Sequence, residues 1–104
     1  MKKLYEVVRV SNTYDDIEEL CFTYNIDKAT RIAIFEREYD ERENKAALRY
    51  NPKNPQVYTT EIRELTVPDE FDLELYLNGD YGDDGFSEMV DMLCTYADYN
   101  IIEF

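Results

Sequence analysis

The chain has 104 residues and carries 24 Asp or Glu against eleven Lys or Arg, so its formal net charge is −13 at pH 7. A chain of this length forms one domain with little room for an enclosed active site. It contains no His, which removes the commonest general base and zinc ligand, while a hydrophobic fraction of 44% argues against disorder.

The first half predicts one strand followed by helices. Residues 2–10 alternate and are rich in β-branched side chains, which indicates a strand. Residues 14–24 predict a helix, because their apolar side chains recur at helical spacing behind an acidic first turn. A helix is favoured over residues 27–50, with Asp27 as its cap and Asn51-Pro52 as its end, although residues 31–38 also alternate like a strand.

The second half predicts more strand. Residues 56–67 suit a strand by composition, and residues 71–78 alternate cleanly, as a half-buried antiparallel strand does. An acidic loop over residues 79–85 leads to a helix that begins near Asp84 or Ser87 and ends at Asp98. Residues 100–104 close the chain as a short edge strand.

These elements predict a single α+β domain over residues 1–104, with a mainly antiparallel sheet of about four strands and two or three helices packed on one face. Strand order does not follow from the sequence. No signal peptide or apolar run of about 20 residues is present, so we expect a cytoplasmic protein away from membranes. Cys21 and Cys94 are then expected to be reduced, buried thiols in helices.

The charge is distributed unevenly. Residues 1–50 hold nine Lys or Arg and eleven Asp or Glu, whereas residues 51–104 hold two and thirteen. From Glu64 to Phe104 there are twelve acids and no basic residue. Such asymmetry concerns partners and association more than fold.

The predicted elements arrange these acids in rows. On the last helix, several carboxylates fall on the side opposite the apolar residues, and on the predicted strand Asp72 and Glu74 lie about 6.6 Å apart. A nucleic-acid strand advances about 3.4 Å per phosphate, which is a spacing of the same order. The predicted partner-binding residues are therefore Asp69, Glu70, Asp72, Glu74, Tyr76, Asp80, Tyr81, Asp83, Asp84, Glu88 and Asp91.

Tyrosine is a second indication of binding, since ten of the 104 residues are Tyr. Tyr76 and Tyr81 lie among acids, where rigid amphipathic rings are favoured interface anchors. Solvent-facing placement is also predicted for Tyr99. Four others are predicted to cover the core: Tyr5, Tyr14, Tyr24 and Tyr58.

Other interpretations of the acidity stay open. It can serve solubility alone, whereas halophily is disfavoured because residues 1–50 are nearly balanced in charge. Residues 80–91 partly match the EF-hand calcium loop, but Gly82 stands at a ligand position and Asp91 replaces the bidentate Glu. We therefore expect an acidic turn that caps the last helix, and no metal or cofactor.

Catalysis is not expected. Without His, neither a Ser-His nor a Cys-His nucleophile can be built. Pairs such as Asp83/Asp84 lie in a uniformly negative, solvated segment, where nothing separates the two pKa values as acid–base catalysis requires.

The size, the acidity, the lack of His and the many Tyr resemble the small phage and plasmid proteins that imitate nucleic acid, the anti-CRISPR and anti-restriction inhibitors. The resemblance is one of charge pattern over residues 56–104, without an aligned motif. It implies a non-enzymatic inhibitor that occupies the nucleic-acid channel of a defence nuclease or effector complex and does not itself bind nucleic acid. The alternative is a structural or adaptor module that docks on a basic protein and forms a homodimer through a sheet edge.

Overall fold

A computed structural model describes residues 1–12, 17–78 and 98–104, together with Met89 and Leu93; for residues 76–78 it describes the backbone. Four strands and two helices lie in these ranges: β1 Lys2–Ser11, β2 Ile17–Thr23, α1 Ile26–Tyr50, β3 Tyr58–Val67, α2 Leu73–Asn78 and β4 Tyr99–Ile102. The strand order is β2-β1-β3-β4, and every neighbouring pair is antiparallel. The α+β class and the four-stranded antiparallel sheet are confirmed.

The two central strands, β1 and β3, pair along their whole length, from Lys2 opposite Val67 to Ser11 opposite Tyr58. Because side chains alternate along a strand, the sheet presents two distinct faces. Val7 and Ile62 point to one face, where they form a buried cluster with Ala29 and Ala33 of α1. The small alanine side chains allow the helix to approach the sheet closely.

The opposite face holds a second core. Leu4, Leu65 and Val67 are buried there with the side chains of Phe22, Phe71, Leu73, Met89 and Leu93. The prediction of two or three helices on one face was wrong. In the described residues there is one main helix, α1, and the short α2 segment packs on the side of the sheet that α1 leaves open.

The helix predicted over residues 14–24 was also wrong, because residues 17–23 form β2. The register passes from Val7 opposite Cys21 to Val8 opposite Glu19, so Leu20 is an extra residue in a β-bulge. The bulge interrupts the two-residue alternation and leaves apolar side chains spaced as in a helix. Cys21 is a free, partly buried thiol whose pKa is raised by burial, and Cys94 lies outside the described residues.

Helix α1 confirms the favoured interpretation of residues 27–50, with a corrected start. The cap is Asn25, whose side chain accepts hydrogen bonds from the backbone N–H groups of Asp27 and Lys28 at 2.9 and 3.2 Å. Asp27, the predicted cap, lies in the first turn instead. At the other end the backbone N–H of Asn51 donates to the Ala47 carbonyl, so the predicted end is confirmed.

The strand predicted over residues 71–78 was wrong. Phe71 closes a turn by donating its N–H to the Pro68 carbonyl at 3.0 Å, and α2 begins at Leu73. This segment is not part of the sheet, whose four strands are β2, β1, β3 and β4 in that order. The alternation instead reflects Phe71 and Leu73 pointing inward from a turn and a helix start.

The remaining predictions concern the end of the chain. The predicted edge strand is confirmed as β4, which starts at Tyr99. Most of the predicted last helix and all of the loop over residues 79–85 lie outside the described residues. Met89 and Leu93, which are described, have helical backbone and buried side chains.

Candidate functional site

The acidic segment, residues 69–74, connects β3 to α2 and holds four of the predicted site residues. Phe71 and Leu73 are buried in the second core. The acids around them are exposed: Asp69, Glu70, Asp72 and Glu74. Because the two apolar side chains anchor the backbone, the carboxylates next to them are held in place on the surface.

Local hydrogen bonds hold this backbone as well. The Asp72 carboxylate accepts from the backbone N–H of Glu74 at 3.1 Å, at the start of α2. The Tyr24 hydroxyl donates to the Phe71 carbonyl at 3.1 Å, which ties the segment to the end of β2. The acidic segment is therefore held by a hydrogen bond within it and by a hydrogen bond from Tyr24.

The electrostatics of the segment are unbalanced. Asp69 pairs with the α-amino group of Met1 at 2.7 Å, and this hydrogen bond and charge lower the pKa of the Asp69 carboxyl. Among the described residues, Glu70, Asp72 and Glu74 form no ion pair. From Glu64 to Phe104 the chain contains no Lys or Arg, so the acidic segment has no basic neighbour in its own part of the sequence.

A surface groove runs beside the acidic segment and is called here the Tyr24 groove. Its first lobe, about 380 Å³, is lined by Lys2, Tyr24 and residues 69–74. Its second lobe, about 350 Å³, is lined by residues 22–25, Lys28, Leu73 and Glu74. The two lobes share Tyr24, Leu73 and Glu74, so they adjoin, and the Lys2 ammonium lies 4.6 Å from the centre of the Tyr24 ring.

The structure brings together part of the predicted site. Asp69, Glu70, Asp72 and Glu74 are neighbours, although on a turn and a helix start and not in the predicted row along a strand. Tyr76 lies on α2, where only its backbone is described. The other predicted residues lie outside the described ranges, together with the calcium-like loop: Asp80, Tyr81, Asp83, Asp84, Glu88 and Asp91. Their row on the last helix stays a prediction.

Sequence reasoning missed three residues of the groove: Lys2, Tyr24 and Lys28. Tyr24 was predicted to cover the core, yet 40% of its surface is exposed. The spacing of apolar residues before Tyr24 predicted a helix, so it gave no indication that Tyr24 lines a groove. Only the pairing of β2 with β1 places Tyr24 beside the acidic segment.

The most buried polar cluster serves the fold. Arg9 pairs with the buried carboxylate of Asp40 at 2.9 Å and packs over the Tyr58 ring, and Thr60 donates its hydroxyl to Asp40. Asn44 donates to and accepts from the backbone of Tyr58, each at 2.9 Å. These contacts dock α1 on the sheet.

Comparison with protein-family models, with curated proteins and with solved structures finds no match to this chain. In the part of the chain that the structure describes, no three acidic or thiol side chains are grouped so as to hold a metal ion. No helix in that part is both long and apolar enough to cross a membrane.

Proposed function

We propose that the protein is a non-enzymatic inhibitor of a cytoplasmic nucleic-acid-binding protein, such as a defence nuclease or an effector complex. It offers an acidic surface in place of the phosphate backbone. The observation that carries this proposal is the acidic segment: Glu70, Asp72 and Glu74 are exposed and form no ion pair among the described residues. They alternate with the buried side chains of Phe71 and Leu73, which anchor the backbone.

The mechanism follows from electrostatics. A groove lined with Lys and Arg attracts polyanions through a term that does not depend on sequence and that weakens as salt is added. Carboxylates on an anchored backbone lose little conformational freedom when they meet such a groove. Charge mainly accelerates encounter and selects the partner, so shape contacts beside the acids supply the remaining specificity.

The test is capture of partners from a bacterial lysate on the immobilised protein, followed by elution with DNA or RNA. We expect captured proteins to bind nucleic acid and to be released by it. The triple variant Glu70→Gln, Asp72→Asn, Glu74→Gln should lose this capture. Asn at position 72 keeps an oxygen that can accept from the Glu74 N–H, so the start of α2 is preserved.

The matched control carries the same change in charge on another surface. Glu38, Glu41 and Glu43 are exposed on α1, and replacing all three by Gln should leave capture unchanged. Equal loss in both triple variants would show that net charge alone drives association, and the acidic segment would then have no special role.

A second candidate function rests on the edge strand β4. Tyr99 and Ile101 are about half exposed there, at 47% and 53%, and an open sheet edge is a template for another strand. An adaptor that docks through this edge, or that forms a homodimer through it, would retain its captured partner in the presence of nucleic acid. Elution by DNA or RNA therefore discriminates between the two functions.

A further inference from the structure

The first lobe of the Tyr24 groove already holds a cation. The Lys2 ammonium lies over the Tyr24 ring at 4.6 Å, and the exposed carboxylates of the acidic segment line the same lobe. A cation against an aromatic face and beside acids is stabilised by both. We propose that this lobe receives an Arg side chain of the protein partner, and that Lys2 holds the place which that side chain takes in the complex.

Arg fits the lobe better than Lys does. Its planar guanidinium stacks on an aromatic face and donates two hydrogen bonds to a carboxylate at once. Glu70, Asp72 and Glu74 provide such acceptors, and none of them forms an ion pair with a basic residue of the described ranges. A guanidinium from outside therefore gains contacts that the Lys2 ammonium does not make.

The second lobe extends the recognition to a short segment. It adjoins the first, and its lining combines Phe22, Tyr24 and Leu73 with the polar residues Thr23, Asn25, Lys28 and Glu74. In an extended chain, side chains two positions apart lie on the same face, about 6.6 Å from each other. An extended segment with an Arg and, two residues away, an apolar side chain would place one side chain in each of the two adjoining lobes. That this segment belongs to a nucleic-acid-binding protein rests on the proposed function.

The experiment uses a fluorescein-labelled peptide that contains Arg-Ser-Leu between uncharged residues, titrated with the full chain at low ionic strength and followed by anisotropy. We expect Tyr24→Leu to weaken binding about fivefold, within the range of a cation–π contact. Tyr24→Phe keeps the ring but loses the hydrogen bond from the hydroxyl to the Phe71 carbonyl, and should weaken binding less than Tyr24→Leu does. Lys2→Gln removes the ammonium from the face of the Tyr24 ring, and should tighten binding of the peptide about twofold or more.

Peptides and a control variant test the assignment of the lobes. Peptides with Gln in place of Arg, or Ser in place of Leu, should bind more weakly. Tyr50→Leu removes a Tyr that is 90% exposed at the end of α1 and should change nothing. Equal affinity of the Tyr24→Leu and Tyr50→Leu variants for the peptide overturns the proposal, and so does a Lys2→Gln variant that binds no more tightly.

The two proposals fail in different ways. If the triple variant of the acidic segment loses the captured partner while Tyr24→Leu retains it, the groove assignment is wrong and the proposed function stands. If the peptide binds as described but captured proteins resist elution by nucleic acid, the groove is a peptide site and the proposed function is wrong.

Discussion

At the scale of single residues, the most unusual group is the buried carboxyl of Glu6 on β1. It lies opposite Arg63 of β3, whose Nη1 is 3.8 Å away, and opposite Phe22 of β2. Burial raises its pKa from 4.5 to about 7, against the opposing effect of Arg63 and with a further increase from Glu19. The folded protein therefore binds this proton more tightly than the unfolded chain does.

The sign of the resulting pH dependence follows from this increase. The stabilisation by protonated Glu6 is complete below pH 4.5 and is lost as the pH rises through about 7. Since one pKa unit corresponds to about 1.4 kcal/mol, the increase from 4.5 to about 7 corresponds to about 3 kcal/mol. Glu6→Gln should therefore raise the free energy of unfolding by about 3 kcal/mol at about pH 8, with little change at about pH 4.5. Urea unfolding followed by tyrosine fluorescence measures this, because the chain has no Trp.

A second variant checks the cause. Arg63→Gln removes the cation that lowers the pKa of Glu6, so the loss of stability should move to higher pH. The difference in unfolding free energy between Glu6→Gln and the wild type should be larger at about pH 8 than at about pH 5. An equal difference at the two pH values would contradict the explanation.

At the scale of elements, α1 is held at its start by a cap that the sequence pattern assigned to the wrong residue. Asn25, and not Asp27, accepts the first backbone N–H groups. Asn25→Ala should therefore cost about 1 kcal/mol of unfolding free energy. Asp27→Ala should cost less, since Asp27 contributes only a charge near the helix start. Denaturant unfolding of both variants measures the difference, and a larger loss for Asp27→Ala would restore the original assignment.

The docking of α1 on the sheet depends on Asp40. Its carboxylate is 2% exposed and is shared between Arg9 and Thr60. Asp40→Ala leaves Arg9 without its buried counter-charge and should cost about 3 kcal/mol. Glu41→Ala, the next residue along and exposed, serves as the control and should change stability by less than about 0.5 kcal/mol. Similar losses in the two variants would argue against a structural role for the Arg9–Asp40 pair.

At the scale of the whole molecule, the net charge of −13 opposes folding by self-repulsion. Added NaCl should raise the melting temperature between about 0.05 and about 0.5 M, because the Debye length shortens over this range. The triple variant Glu70→Gln, Asp72→Asn, Glu74→Gln should melt higher than the wild type at low salt and respond less to salt. A lower melting temperature would mean that the carboxylates help to hold the fold, and loss of capture in that variant would then carry no weight.

The fold was predictable wherever a local pattern was undisturbed. β1, β3, β4 and α1 were recognised because their periodicity or composition matches their secondary structure. The bulge at Leu20 interrupts the two-residue alternation of β2, so the segment was predicted as a helix. The apolar residues of the turn before α2 alternate with acids, so that segment was predicted as a strand. Of the candidate site, the acidic residues were indicated by their concentration after Glu64, whereas the Lys2–Tyr24 contact joins residues that no local pattern relates.

The sequence by itself determined the charge of this protein, its concentration in the second half and the absence of His chemistry, because composition does not depend on fold. It also determined the elements whose hydrogen bonds and side-chain pattern are local. The tertiary structure alone decided which segments pair with β1, on which face each core lies, and which charges meet a counter-charge. Each of these depends on contacts between residues far apart in the chain, whose free energies outweigh the weak local preference of a short segment.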